Sequence, residues 1–228
     1  MRILCLGDLH APYEHKKAVE WAVGLAKELQ PSHIVQVGDA YDMFAYSRYP
    51  KVLKMLPEEE LSSARASMES IWKRFQVAAP KAKCFQLTGN HDERPIKKIV
   101  TLAPELTQFV DKGLRDLLTF RNVKTVYDPK EELILHGIVF QHGYRSRLGD
   151  HCNYNQRSTV VGHSHTGGVV FRRNFKGVFF ELNAGLLGDF EQPAFGYRSQ
   201  RKMHTWTLGV GYVDSLGPRF IPYPDRSR

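Results

Sequence analysis

The sequence predicts an α/β fold: two packed, mixed β-sheets flanked by helices, with a site at the carboxyl ends of the strands. Three observations predict it. Short apolar runs alternate with amphipathic helical stretches over residues 1–90, the pattern of a parallel sheet built by right-handed crossovers. The rest of the chain is rich in strand-like segments. Five short motifs built on Gly, Asp, Asn and His each follow directly on a predicted strand.

Ile3-Leu4-Cys5-Leu6 is a short, wholly apolar run, expected to be a buried strand. His15 to Leu29 places Val19, Ala22, Val23 and Ala26 at helical spacing, and Pro31-Ser32 stops that helix. His33 to Val37 is the second strand. Glu58 to Ala78 is a second helix, with Leu61, Ala64, Met68, Ile71, Trp72 and Phe75 on one face and Pro80 beyond its end. Cys84 to Leu87 is the third strand. Ile96 to Phe120 is expected to be helical, broken near Pro104 and Gly113, and to form a lid or substrate wall. Strands follow at Glu132–Leu135, Ile138–Gln141, Thr159–Val161, Gly168–Arg173, Val178–Leu182 and His204–Val213. The expectation is one domain over residues 1–228, with 217–228 an extended tail.

At 228 residues, 42% hydrophobic and 25% charged, the chain can bury a core of its own. It contains no apolar run long enough to span a bilayer. The strand that begins at once after Met1 leaves no room for a signal peptide, so the expected location is cytoplasmic. Cys5, Cys84 and Cys152 form no Cys-x-x-Cys pair, which argues against a zinc–thiolate site. Cys5 and Cys84 fall in strands and Cys152 in a polar loop. The net charge of +8 favours anionic partners, nucleic acid among them.

The five motifs are Gly7-Asp8-Leu9-His10, Gly38-Asp39-Ala40-Tyr41-Asp42, Gly89-Asn90-His91-Asp92, His142-Gly143 and Gly162-His163-Ser164-His165. In a parallel sheet, ligands bind at the carboxyl ends of the strands, where the first three motifs lie. Asp8 and His10, like His163 and His165, are two apart, which on extended backbone points both side chains one way and makes a chelating pair. Carboxylate, imidazole and carboxamide together suit Mn²⁺, Fe or Zn²⁺ better than Ca²⁺. Any one motif is compatible with a solvated turn. Their conjunction, in order and each after a strand, with five of the ten histidines in them, is not. His15, His33, His136, His151 and His204 are taken as structural or solvated, with His151 the nearest to an exception.

On these residues the chain resembles the calcineurin-like metallophosphoesterase superfamily, from Asp8 to about Val213, and within it the small, compact members that include phage and prophage proteins. The resemblance implies the calcineurin-like phosphoesterase sandwich and a site for two divalent ions, Mn²⁺ first, with Fe, Zn²⁺, Ni²⁺ or Mg²⁺ as alternatives. Asp8, His10 and His165 would hold one ion and Asn90, His142 and His163 the other, with Asp39 bridging. Such a pair, ~3.5–4 Å apart, binds phosphate and supplies a bridging hydroxide as nucleophile. His91 would stabilise the phosphoryl oxygen or protonate the leaving oxygen, oriented by Asp42. One departure bears on the substrate. Phosphoprotein phosphatases of the superfamily carry Asp-Arg-Gly after the bridging motif; here Asp42 is followed by Met43-Phe44. Arg94, Arg145 and Arg147 are the candidate substitutes for that arginine, or surface charges.

The expected activity is phosphodiester hydrolysis on DNA, RNA or a nucleotide diester, supported by the missing arginine and by basic pairs near aromatics. The pairs are Lys97-Lys98, Arg145/Arg147, Arg172-Arg173 and Arg201-Lys202; the aromatics are Tyr144, Tyr154, Phe171, Phe195 and Tyr197. The alternatives are a phosphomonoesterase, and a nucleic-acid-binding module without activity, which the complete ligand set disfavours. The loop from Met43 to Pro57, with Tyr46, Arg48 and Tyr49, leaves the strand carrying Asp39 and is placed to line a groove.

Overall fold

The computed structural model describes residues 1–48, 55–128, 131–196 and 203–224. Tyr49, Tyr197, Arg201 and Lys202 lie outside them. The elements are β1 (Ile3–Leu6), α1 (Lys16–Leu29), β2 (His33–Gln36), α2 (Pro57–Ala78), β3 (Lys83–Leu87), α3 (Arg94–Leu102), α4 (Thr107–Leu118), β4 (Val123–Val126), β5 (Leu133–Leu135), β6 (Ile138–Phe140), α5 (Asp150–Asn155), β7 (Thr159–Val161), β8 (Gly168–Asn174), β9 (Gly177–Asn183), β10 (Gly209–Asp214) and β11 (Gly217–Pro222).

One sheet runs β11-β10-β1-β2-β3-β4 and the other β5-β6-β7-β9-β8. In the first, β1 to β4 are parallel and β10 and β11 antiparallel. In the second, β6, β7 and β9 are parallel, with β5 and β8 antiparallel at its edges. Both sheets are mixed, as expected.

Alternation along the strands decides which core each side chain enters. Ile3 and Cys5 point between the sheets, with Val35, Val37 and Phe85, against Phe140, Val160 and Leu182 of the second sheet. Leu4 and Leu6 point the other way and pack on Ala18, Val19, Ala22 and Ala26 of α1 and on Met68, Ile71, Trp72 and Phe75 of α2. Covered on both faces, these strands read as continuous apolar runs rather than as alternating ones.

Some elements differ from expectation; the strand expected over His204–Val213 begins only at Gly209, as β10. The helical stretch after the third motif breaks at Pro104 alone; Gly113 lies inside α4 with open space around it. Residues 217–222 of the expected extended tail pair along β10 as β11, an edge strand, where Pro218 and Pro222 are tolerated. β4 was not expected. Cys152 belongs to a short helix, α5, and is fully buried.

Candidate metal centre

Each of the five motifs leaves the carboxyl end of a strand: β1, β2, β3, β6 and β7. Since β1, β2 and β3 are parallel in one sheet, and β6 and β7 in the other, all five loops emerge along one rim, where the two sheets meet.

Asp8, His10, Asp39 and His165 are buried and offer ligand atoms that all lie within 4.8 Å of one another. His165 Nε2 is 3.1 Å from Asp8 Oδ2 and 3.2 Å from His10 Nε2. Beside them stands a second set. Asn90 Oδ1 is 2.7 Å from His163 Nδ1 and 3.1 Å from His142 Nε2, and the two imidazole nitrogens are 3.4 Å apart. Asp39 joins the sets, its Oδ2 lying 3.2 Å from His142 Nε2. The structure thus brings together all seven side chains that the sequence singled out as ligands.

It does so by a different backbone geometry from the one expected. His10 (φ 52°), Asp39 (φ 51°), His163 (φ 65°) and His165 (φ 60°) occupy the left-handed region, not extended backbone. Such residues carry a cost of about 1–3 kcal/mol each and cluster at functional sites. Because each turns the chain, His163 and His165 do not form one chelating pair: His163 faces Asn90 and His142, while His165 faces Asp8 and His10. Glycine is required where the motifs touch. A Cβ on Gly89 would overlap the main chain and carboxylate of Asp39, and one on Gly162 would overlap Asp8 Oδ1.

The imidazoles are oriented from behind. His142 Nδ1–H donates to the Val37 carbonyl at 3.0 Å, which directs Nε2 toward the cluster. His10 Nδ1–H donates to Asp42 Oδ2 at 3.0 Å, again leaving Nε2 inward. Asp42 also lies 3.3 Å from His91 Nδ1, so it serves two rings where the sequence suggested one. A third grouping, His10, Asp42 and His91, has ligand-like proximity, but its atoms are taken up by these bonds.

Charge balance favours a cation. Both oxygens of the fully buried Asp8 accept no hydrogen bond among the described residues, a costly condition for a carboxylate unless an ion completes it. Burial, more than neighbouring charge, raises Asp8 to about 6. Burial would raise Asp39 too, but the imidazoles of His142 and His91 hold it well below the usual carboxylate range. Burial alone would lower His142; Asp39 and Asp8 overcome this and raise it to about 10. Those carboxylates hold a proton on His142 for the same reason that they would hold a metal ion, and metal binding would release that proton. The residues therefore fit divalent cations.

Some contributing residues carried little signal. Asp92, buried, accepts main-chain N–H groups from Gly89 (2.8 Å) and Tyr41 (2.8 Å), binding the second motif to the third. Asn183 donates to the Gly162 carbonyl (2.8 Å) and to Ser164 Oγ (2.9 Å), fixing the last motif. Trp206 packs edge-on against His165, ring centres 4.3 Å apart. Glu60, from α2, accepts the N–H groups of Phe44 (2.5 Å) and Ala45 (2.7 Å) and secures the start of the groove loop. Of these, only Asp92 lay inside a motif.

The three arginines separate. Arg94 sits beside the centre, donating from Nη1 to the Asp42 carbonyl (2.7 Å) and Oδ1 (3.1 Å), and from Nη2 to His91 Nε2 (2.9 Å). Arg145 is exposed, 5.0 Å and 5.7 Å above the rings of exposed Tyr144 and Tyr154. Arg147 is exposed as well. Phe195 is a core residue, packed on His10. His151 is structural: its Nε2 accepts the N–H groups of Tyr144 (3.0 Å) and Arg145 (3.1 Å). No helix among the described residues is long and apolar enough to cross a membrane.

The Gene 54 proteins of mycobacteriophages D29 and L5 are 26% and 27% identical over 184 residues, covering 74% of this chain and 70% of theirs. Among solved structures, Yfce, a phosphoesterase from E. coli, aligns over 100% of this chain and 96% of its own with 16% identity and a TM-score of 0.48. The Pseudomonas putida nuclease MPE aligns over 83% and 76%, with 16% identity and a TM-score of 0.41. The sequence model for calcineurin-like phosphoesterases matches residues 1–179, the span that holds every residue of both ligand sets. The chain belongs to the calcineurin-like phosphoesterase family and is an enzyme of that class, a metal-dependent hydrolase of phosphoester bonds.

Proposed function

We propose that the protein is a phosphodiesterase acting on nucleic acid or a nucleotide diester with two divalent ions, Mn²⁺ foremost. Asp8, His10 and His165 would hold one ion, Asn90, His142 and His163 the other, and Asp39 would serve both. The observation that carries this is the position of Asp39, a member of one ligand set and 3.2 Å from the other. When bound, such a pair polarises a phosphoryl group and supplies a nucleophile from water near neutral pH.

The chain's own groups do the rest. Asp42 fixes the imidazoles of His10 and His91. Arg94 Nη2 donates to His91 Nε2 at 2.9 Å; for His91 to face the phosphoryl or leaving oxygen as a donor, Nε2 would take a proton and give up that bond, which frees the guanidinium to meet the same oxygen. A diester is favoured over a monoester because the Arg94 charge is offset by the buried Asp42 carboxylate, 3.1 Å away. A doubly charged terminal phosphate calls for an arginine with charge to spare. The mycobacteriophage relatives support reading this as a phage or prophage gene, and we take the host cytoplasm as the place where its product acts.

The test is Mn²⁺-dependent hydrolysis of bis-p-nitrophenyl phosphate beside p-nitrophenyl phosphate. The diester is expected to turn over faster, and Asp39→Asn to lower kcat/KM by at least 10²-fold. A preference for the monoester would make the protein a phosphatase instead.

A further inference from the structure

Two hollows flank the metal centre, and their chemistry differs. On the side of Asn90 and His91 lies a groove of about 800 Å³ walled by Arg48, Arg94, Lys97 and Lys98, with no carboxylate in its lining among the described residues. Arg94, Lys97, Lys98 and Thr101 are spaced i, i+3, i+4 and i+7 along α3, so one helical face forms that wall. On the side of His163 and His165 lies a smaller hollow of about 210 Å³, lined by Ser146, Ser164, Thr166, Thr205 and Trp206, all uncharged.

The charge of the groove exceeds what one diester needs. Arg94 is balanced by Asp42. Lys97 meets Glu93 at 2.8 Å, but in an exposed i,i+4 pair of the kind that contributes little. Lys98 is exposed and makes no ion pair among the described residues. A singly charged ester held at the metal centre would leave these amines unused.

We infer that the substrate carries at least one phosphate besides the one hydrolysed, and that this second phosphate lies against the Lys97–Lys98 face of α3 while an uncharged arm occupies the hollow beside Trp206. The inference rests on the phosphodiesterase reading and adds a direction to it: the chain of phosphates leaves the centre on one side only. Two sources share that chemistry, a single-stranded oligonucleotide and a dinucleoside polyphosphate.

The experiment measures kcat/KM for three substrates over a range of KCl concentrations: bis-p-nitrophenyl phosphate, a short single-stranded oligonucleotide and a dinucleoside polyphosphate. Lys98→Glu is compared with Lys124→Glu, which makes the same charge change on edge strand β4. The readout is the ratio of each multiply phosphorylated substrate to the one-phosphate diester. Lys98→Glu is expected to lower that ratio at least ten-fold and to flatten its log–log salt dependence, by ~0.7 per lost phosphate contact on a single strand. Lys124→Glu is expected to leave it in place. A fall confined to the oligonucleotide names a strand as the source, and one confined to the polyphosphate names a nucleotide. A ratio that Lys98→Glu does not change, or that Lys124→Glu lowers equally, overturns the inference while leaving the phosphodiesterase reading intact. Wild-type enzyme that turns over none of the three substrates overturns both.

Discussion

Asp42 accepts from His10 and lies beside His91, so one carboxylate sets the ring orientation of a proposed ligand and of a proposed catalytic group. Asp42→Asn replaces an acceptor-only group with an amide that can offer either end, and both rings lose a fixed tautomer. Partners behind metal-binding histidines are typically worth about 10–100-fold in affinity or activity. A loss of that size is expected in Mn²⁺ affinity by titration and in kcat on the diester, with the fold retained by circular dichroism. At this scale the sequence showed which residues converge, because glycine-flanked acids and histidines after strands have few structural uses. It did not show how they converge. Alternation by two assumes extended backbone, and left-handed turns at His10, His163 and His165 depend on tertiary contacts that no local pattern encodes.

Among elements, α5 and the loop before it show how a segment without sequence periodicity is held. Glu181 of β9 accepts N–H groups from Gly149 (2.8 Å), His151 (2.8 Å) and Cys152 (2.9 Å). Burial alone would raise the Glu181 carboxyl; the His151 imidazole and the main-chain donors outweigh it and hold it below the usual range. A carboxyl depressed in the folded state stabilises fully above its unfolded value of about 4.3 and loses that contribution as pH falls through the folded value. Glu181→Gln is therefore expected to cost about 1–3 kcal/mol at pH 7. In denaturant titrations its deficit against wild type should narrow as the pH is taken below about 4. A deficit that stays constant with pH would place the effect in packing instead. The first three strands and two long helices were legible because apolar runs and helical faces there are unbroken. β4 is four residues with Lys124 among them, β11 contains two prolines, and α5 is six polar-rich residues; none carries a periodic signal.

For the molecule as a whole, the centre lies on the rim where the sheets meet, and its side chains come from both. Asp8, Asp39 and Asn90 follow strands of the first sheet, and His142, His163 and His165 follow strands of the second. A bound cation adds its affinity to the stability of the folded state, about 2.7 kcal/mol at a concentration 100-fold above Kd. For a chain of this size that raises Tm by about 5–10 °C. Such a rise is expected with Mn²⁺, reversed by chelator, and largely lost in Asp8→Asn; an equal rise in that variant would place the ion elsewhere. The two-sheet architecture was legible from the change in element pattern along the chain, whereas the order of strands within each sheet was not. The same arrangement bears on the path by which the protein folds. Asp8 and His165 are 3.1 Å apart in space although six strands, β2 to β7, lie between them in the chain. Contacts of such range form late, after the entropy of closing the intervening chain has been met. The amino-terminal half by itself carries Asp8, His10, Asp39 and Asn90 without the histidines of the second sheet, so full metal affinity is expected only once that sheet is in place.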